Sequence, residues 1–167
     1  MNIAKPSILF AFVICLVAAP AMAAGPAADP AAAANLLALV NQARSNAGLA
    51  PVHANPELGA AAQSLAEDLA RRGVLSHEDS KGAGIDVRFL QSGYRYSIAA
   101  EVVAAPFTKP EDVIADWMAN PSNREQILTE DLQDAGVGYA IGPIGSLPGQ
   151  ANGFWVLDMG SPIVVHY

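Results

Sequence analysis

The sequence predicts an α+β fold on three observations. Apolar residues recur at helical spacing through the first half, at Leu36, Val40 and Ala43 and again at Leu58, Ala62, Leu65 and Leu69. Stretches that read as strands, Ser97–Ala105, Gly136–Ile141 and Phe154–Met159, come in the second half. The two kinds of element do not alternate as βαβ units, which sets the chain apart from the α/β class.

Taken in order, Lys5, the apolar run Ile8–Ala19 and the small-x-small pattern Ala21-Met22-Ala23 read as a secretory signal peptide over residues 1–23. The run is too short to span a membrane. Cys15 lies inside it and reads as filler, so cleavage after Ala23 removes the one cysteine of the chain. Residues 24–34 form an Ala/Pro-rich leader. Residues 35–167 read as one domain, with no repeat and no linker. Asp29-Pro30 opens the first helix and Gly48 stops it. Asn55 caps the second, with Pro56 in its first turn, Glu67 and Arg71 paired four apart, and Gly73 as its end.

The polar, glycine-bearing stretch Ser76–Gly84 is a loop. Ile85, Phe89 and Leu90 mark a short third helix that stops at Gly93. Ser97–Ala105 is apolar on both faces and predicts a covered strand. Thr108-x-x-Glu111 and Ser122-x-x-Glu125 have the capping-box pattern and predict the starts of two more helices. Residues 142–153 read as a Gly/Pro hairpin loop between the last two strands.

The 167-residue chain carries a formal charge of −7, and loss of Lys5 makes it one unit more negative. Such a chain is repelled by nucleic acid and by anionic headgroups, so neither is an expected partner. No apolar run after the signal peptide is long enough to cross a membrane. Without disulfides, stability must come from the core, which at this length buries about two-thirds of the surface of the unfolded chain.

Two polar side chains stand out from their surroundings. Glu101 is the single charge between Ser97 and Thr108, and His77 opens the polar loop. A carboxylate in an apolar strand is costly to bury unless it is paired. Its functional reading is a site with His77, and its structural reading is a clamp on the backbone of a nearby loop. No Gly-x-Ser-x-Gly elbow, His-Glu-x-x-His pair, cysteine pair or phosphate-binding loop is present.

In this setting several ordered pieces resemble the bacterial branch of the CAP superfamily (cysteine-rich secretory proteins, antigen 5, pathogenesis-related 1 proteins; SCP-like domains). They are Leu39–Arg44 with Gly48-Leu49, Asn55–Leu58, Ala66–Arg71, Gly73–His77, Ser92–Tyr94, Glu101, Trp117-Met118 with Asn120-Pro121, Arg124 and Ile127-Leu128, Gly136–Gly138, and Phe154-Trp155. The resemblance implies an α-β-α sandwich, with a small sheet of about three strands between helical layers. It implies a central cavity with two histidines and one or two glutamates.

Carried over, His77 matches the first histidine, and Glu101 matches the glutamate within Ala100-Glu101-Val102. The second histidine is replaced, since its triplet here is Ser122-Asn123-Arg124. Glu78, Asp79 and Asp86 are candidates for a second carboxylate. Ser76, Asn123 and Arg124 are expected to line the cavity; Asn123 alternatively serves the helix start, and Arg124 a surface ion pair. Trp117, Met118 and Trp155 read as core, and His53 and His166 as surface residues. One histidine and one glutamate do not make a zinc site, so no metal and no cofactor is expected.

The reading that follows is a secreted or periplasmic, non-enzymatic binding module. Its partner would be a small apolar or lipid ligand, or an envelope or extracellular protein. The alternatives are a weak, peptidase-like hydrolase using His77 as base and Glu101 to orient it, and a structural envelope protein with a vestigial cavity.

Overall fold

The computed structural model describes residues 30–144 and 152–163. The expected signal peptide, Asp29, the middle of the expected hairpin loop and His166 lie outside them. Nine elements follow one another: α1 (Pro30–Asn46), β1 (His53–Ala54), α2 (Pro56–Arg72), α3 (Ile85–Ser92), β2 (Tyr96–Ala104), α4 (Pro110–Ala119), α5 (Pro121–Ile127), β3 (Asp134–Gly142) and β4 (Asn152–Pro162).

Local chemistry sets most boundaries. The Asn55 side chain accepts from the N–H groups of Glu57 and Leu58, and Gly73 closes α2 at φ +68°. The two expected capping boxes do not form. Lys109 and Asn120 both precede a proline, which disfavours helical backbone there. Each is therefore extended and becomes the N-cap itself, ahead of Pro110 and Pro121. Asn120 Oδ1 takes the N–H groups of Ser122 and Asn123, while α4 has no side-chain cap. On α2, Arg71 pairs with Asp68 at 2.8 Å rather than with Glu67, which accepts from Gln63 instead.

The sheet has the order β1-β3-β4-β2. The two-residue β1 runs parallel to β3, and the other pairs are antiparallel. It therefore adds a strand to the three expected, and it holds His53 exposed. Helices cover both faces, giving an α-β-α sandwich. On one face Ala100, Val102 and Ala104 join Trp155, Leu157 and Met159 against Leu36, Val40, Val113, Trp117 and Ile127. On the other, α2 lies against the backbone of β3. A Cβ at Gly138 would come within 2.2 Å of the Ala62 carbonyl oxygen, so only glycine permits that approach.

The stripe on α1 ends in a buried cation, Arg44, rather than at Ala43. Its guanidinium donates to the carbonyls of Ala50, Ile127 and Thr129 at 2.8–2.9 Å. Burial pulls its pKa down. These bonds satisfy carbonyls at the end of α5 and fix that helix against α1. Among the described residues no helix is long and apolar enough to cross a membrane.

Candidate functional site

β2 is the last strand of the sheet, and a cleft of about 420 Å³ opens beside it. His77 and Glu78 line it from the loop after α2, Ile85 and Asp86 from the start of α3, Glu101 from β2, and Gln126 from α5.

A set of buried polar groups holds the loop in place. Asp68 accepts from Arg71 and Arg72 and from the Ser80 N–H at 2.9 Å. Burial pushes the Asp68 pKa up, but these hydrogen bonds outweigh it, and the net shift is downward. Asp79 Oδ1 accepts from the N–H groups of Lys81 and Ala83, which closes the turn. Arg88, buried on α3, donates through Nη1 to the carbonyls of His77 and Ala83 at 2.9 and 2.8 Å.

Glu101 is 5% exposed and fully engaged. Its Oε1 meets His77 Nδ1 at 2.7 Å. Its Oε2 accepts from Arg88 Nη2. Its backbone N–H donates to Gln126 Oε1 at 3.2 Å. The Glu101 hydrogen bond raises the His77 pKa; burial and Arg88 act against it, and the carboxylate charge adds to it. With Nδ1 held, Nε2 is the ring nitrogen left for the cleft.

Asp158 stands opposite Glu101 in the β2:β4 register, on the same face of the sheet, and is fully buried. Neither of its oxygens receives a hydrogen bond from a described donor, and Arg88 Nε is likewise unpartnered. Burial, and then the Glu101 carboxylate beside it, push its pKa well above the usual carboxylate range; Arg88 opposes weakly. As a neutral acid it can give its proton to a hydrogen bond with Glu101.

The structure brings His77 and Glu101 together and adds Arg88, Asp158 and Gln126. Glu78 and Asp86 reach the cleft, whereas Asp79 is used inside the loop. The Ser76 hydroxyl accepts from the Glu78 N–H in the loop. Asn123 is half-buried in the first turn of α5 and Arg124 is exposed; neither they nor Ser76 are among the lining side chains. Asp158 was open to the reasoning that singled out Glu101, being the one charge in Phe154–Met159. Arg88 and Gln126 carry no such signal. Among the described residues no group of three or more His, Cys, Asp or Glu is placed to hold a metal ion.

Comparison with known proteins places these features in a family. The model of the family described as CAP, cysteine-rich secretory protein family, matches residues 37–159. The uncharacterized protein YkwD of Bacillus subtilis (strain 168) is 28% identical over 102 residues, which is 60% of this chain and 39% of YkwD. The chain thus spans about two-fifths of that curated relative.

Among solved structures, an extracellular protein containing a SCP domain from Bacillus anthracis superposes with a TM-score of 0.68 at 17% identity, over 83% of this chain and 45% of that one. An outer surface protein of Borrelia burgdorferi gives 0.67 at 16% identity, over 78% of this chain and 92% of that one. At these identities the likeness shows the fold.

Proposed function

Because the chain belongs to the cysteine-rich secretory protein (CAP) family, we propose that it is an exported, non-enzymatic binding module whose partner seats in the cleft at His77 and Glu101. One observation carries this reading. Both oxygens of Glu101 are committed, to His77 and to Arg88, and no hydroxyl or thiol side chain lines the cleft among the described residues. The carboxylate therefore organises the wall, and among the described lining residues it has no hydroxyl or thiol to help activate. Apolar Ile85, Ala99 and Ala100 line the cleft beside polar His77, Glu78, Asp86, Glu101 and Gln126, which suits an extracellular or envelope partner that presents both apolar and polar groups. Export follows from the residues 1–23 pattern, and relatives described as extracellular or outer-surface proteins support it.

The second reading, a hydrolase, has one observation in its favour. Holding Nδ1 on a carboxylate leaves Nε2 free to take a proton from a water in the cleft. Native mass spectrometry of protein taken from its own medium, beside turnover assays on peptide and ester substrates, separates the two. The binding reading expects a co-purified species that His77→Gln weakens, and no turnover. Turnover that disappears in His77→Gln overturns it in favour of the hydrolase.

A further inference from the structure

We propose that the partner is an extended peptide segment bearing lysine or arginine on one side, which pairs as an added strand with the free edge of β2 at Ala99 and the Glu101 carbonyl. This rests on the cleft being a binding site and names what occupies it.

Hydrogen bonding identifies the open edge. Residues along a strand in an antiparallel pair turn their N–H and C=O groups alternately toward and away from the partner. The Glu101 N–H donates to Gln126, and the Val103 carbonyl accepts from Trp117 Nε1 at 3.1 Å, both on the side away from β4. Ala99 has the same parity, so its N–H and C=O also point outward. Among the described residues no other segment hydrogen-bonds either group, or the Glu101 carbonyl. Ala99 and Glu101 line the cleft, so their outward groups border it. At about 3.3 Å per residue the open edge from Ala99 to Glu101 runs ~7 Å and offers a guest three main-chain groups, the Ala99 N–H and the Ala99 and Glu101 carbonyls. The side chains of α4 and α5 close its far end at Val103 and Glu101. An unpaired edge beside a groove is the geometry of strand addition, where main-chain bonds supply affinity and alternate side chains supply choice.

Charge selects the peptide. Glu78 and Asp86 are exposed on the cleft, and neither has an ion-pair partner among the described residues. Arg88, the buried cation nearby, is taken by Glu101. The whole chain is acidic at −7, so a cationic segment is attracted both at a distance and in contact. In an added strand, alternate side chains fall on the α3 side beside Glu78 and Asp86, where a lysine or arginine meets them.

The test uses acetyl-Lys-Val-Lys-Val-Lys-amide titrated into the ¹⁵N-labelled protein. We expect saturable shifts of the Ala99 and Glu101 amides. Methylating the amide nitrogens of one alternate set, either the lysines or the valines, should weaken binding by about tenfold or more, and methylating the other set should leave it unchanged. Loss through the lysine set marks an antiparallel guest, and loss through the valine set a parallel one. The peptide with glutamate in place of lysine should also bind at least about tenfold more weakly. Equal binding of both methylated forms, equal binding of the glutamate peptide, or unmoved Ala99 and Glu101 amides overturns the proposal. The recovered peptide is weighed by mass spectrometry. An intact peptide that fails the methylation test sinks strand pairing alone, whereas a cleaved one sinks the non-enzymatic reading and leaves pairing to be judged by the shifts.

Discussion

The two faces of the β2–β4 pair are made from alternate residues of the same strands, yet only one of them carries buried charge. Ala100, Val102, Ala104, Trp155, Leu157 and Met159 face α1, α4 and α5, and that side is apolar throughout. One residue along, Glu101 and Asp158 face the other way and are buried as deeply. The first face is held by burial and shape, so any well-packed apolar set can serve it. The second is mixed: Val103, Phe154 and Val156 pack on Ala62, Leu65 and Leu69 of α2, while Glu101 and Asp158 on the same face depend on donors placed one at a time. Glu101 has two side-chain donors and remains an ion-pair partner, whereas Asp158 has none and is pushed toward the neutral acid. For Glu101, α3 and its preceding loop deliver the matching donors.

Trp155→Ala should cost most, about 3–5 kcal/mol in urea unfolding. The ring is fully buried, stacks on Tyr139 at 4.0 Å, and donates to the Phe107 carbonyl. A loss under about 1 kcal/mol would show that the apolar face does not hold the sandwich together.

Arg88→Met should come next, at about 3 kcal/mol near neutral pH, because it leaves a buried carboxylate without its cation and two loop carbonyls without a donor. The double variant with Glu101→Gln should recover much of that loss, since charge and partner go together. Simple addition of the two single effects would mean that they do not share a site.

Asp158→Asn sharpens the contrast through its pH dependence. A native pKa above the unfolded value of about 3.9 means that the native state holds the proton more tightly. The contribution of Asp158 to wild-type stability must then fall as pH rises from about 4. The amide does not titrate, so the variant should gain on wild type with rising pH, by about 1 kcal/mol or more at pH 8, one pKa unit being ~1.4 kcal/mol. Parallel stability profiles for the two proteins would contradict a neutral Asp158.

His77→Gln should be the smallest effect, below about 1 kcal/mol, because the imidazole is 62% exposed and its pairing is screened. Its native pKa is raised by Glu101, so the stabilisation is complete below the unfolded value of about 6.5 and fades as pH rises through the native one. Unfolding compared at about pH 5.5 and pH 8 should show the larger cost at the acid end; a larger cost at pH 8 would place the pair the wrong way round.

The helix ends of α2 were legible because Asn55, Pro56 and Gly73 act within one turn of chain. The capping boxes of α4 and α5 misled because the prolines at 110 and 121 overrode them. Glu101 was visible as a lone charge in an apolar strand. Asp158 offered the same signal within Phe154–Met159, but its meaning depends on what lies opposite. Arg44 read as part of an ordered motif and proved to be the buried anchor of α5.

By itself, then, the sequence determined the order and kind of the main elements, the family, and the presence of a polar centre around His77 and Glu101. Those are local properties of cap, periodicity and composition, carried by residues a few positions apart. The tertiary structure alone decided which groups serve that centre. His77 and Arg88 lie 24 and 13 residues before Glu101, and Gln126 lies 25 after it. Asp158 meets Glu101 through strand register, and Ala99 lies on an edge strand through strand order. Charge pairing and edge exposure depend on distances in space, and those are set only when the chain has folded back on itself.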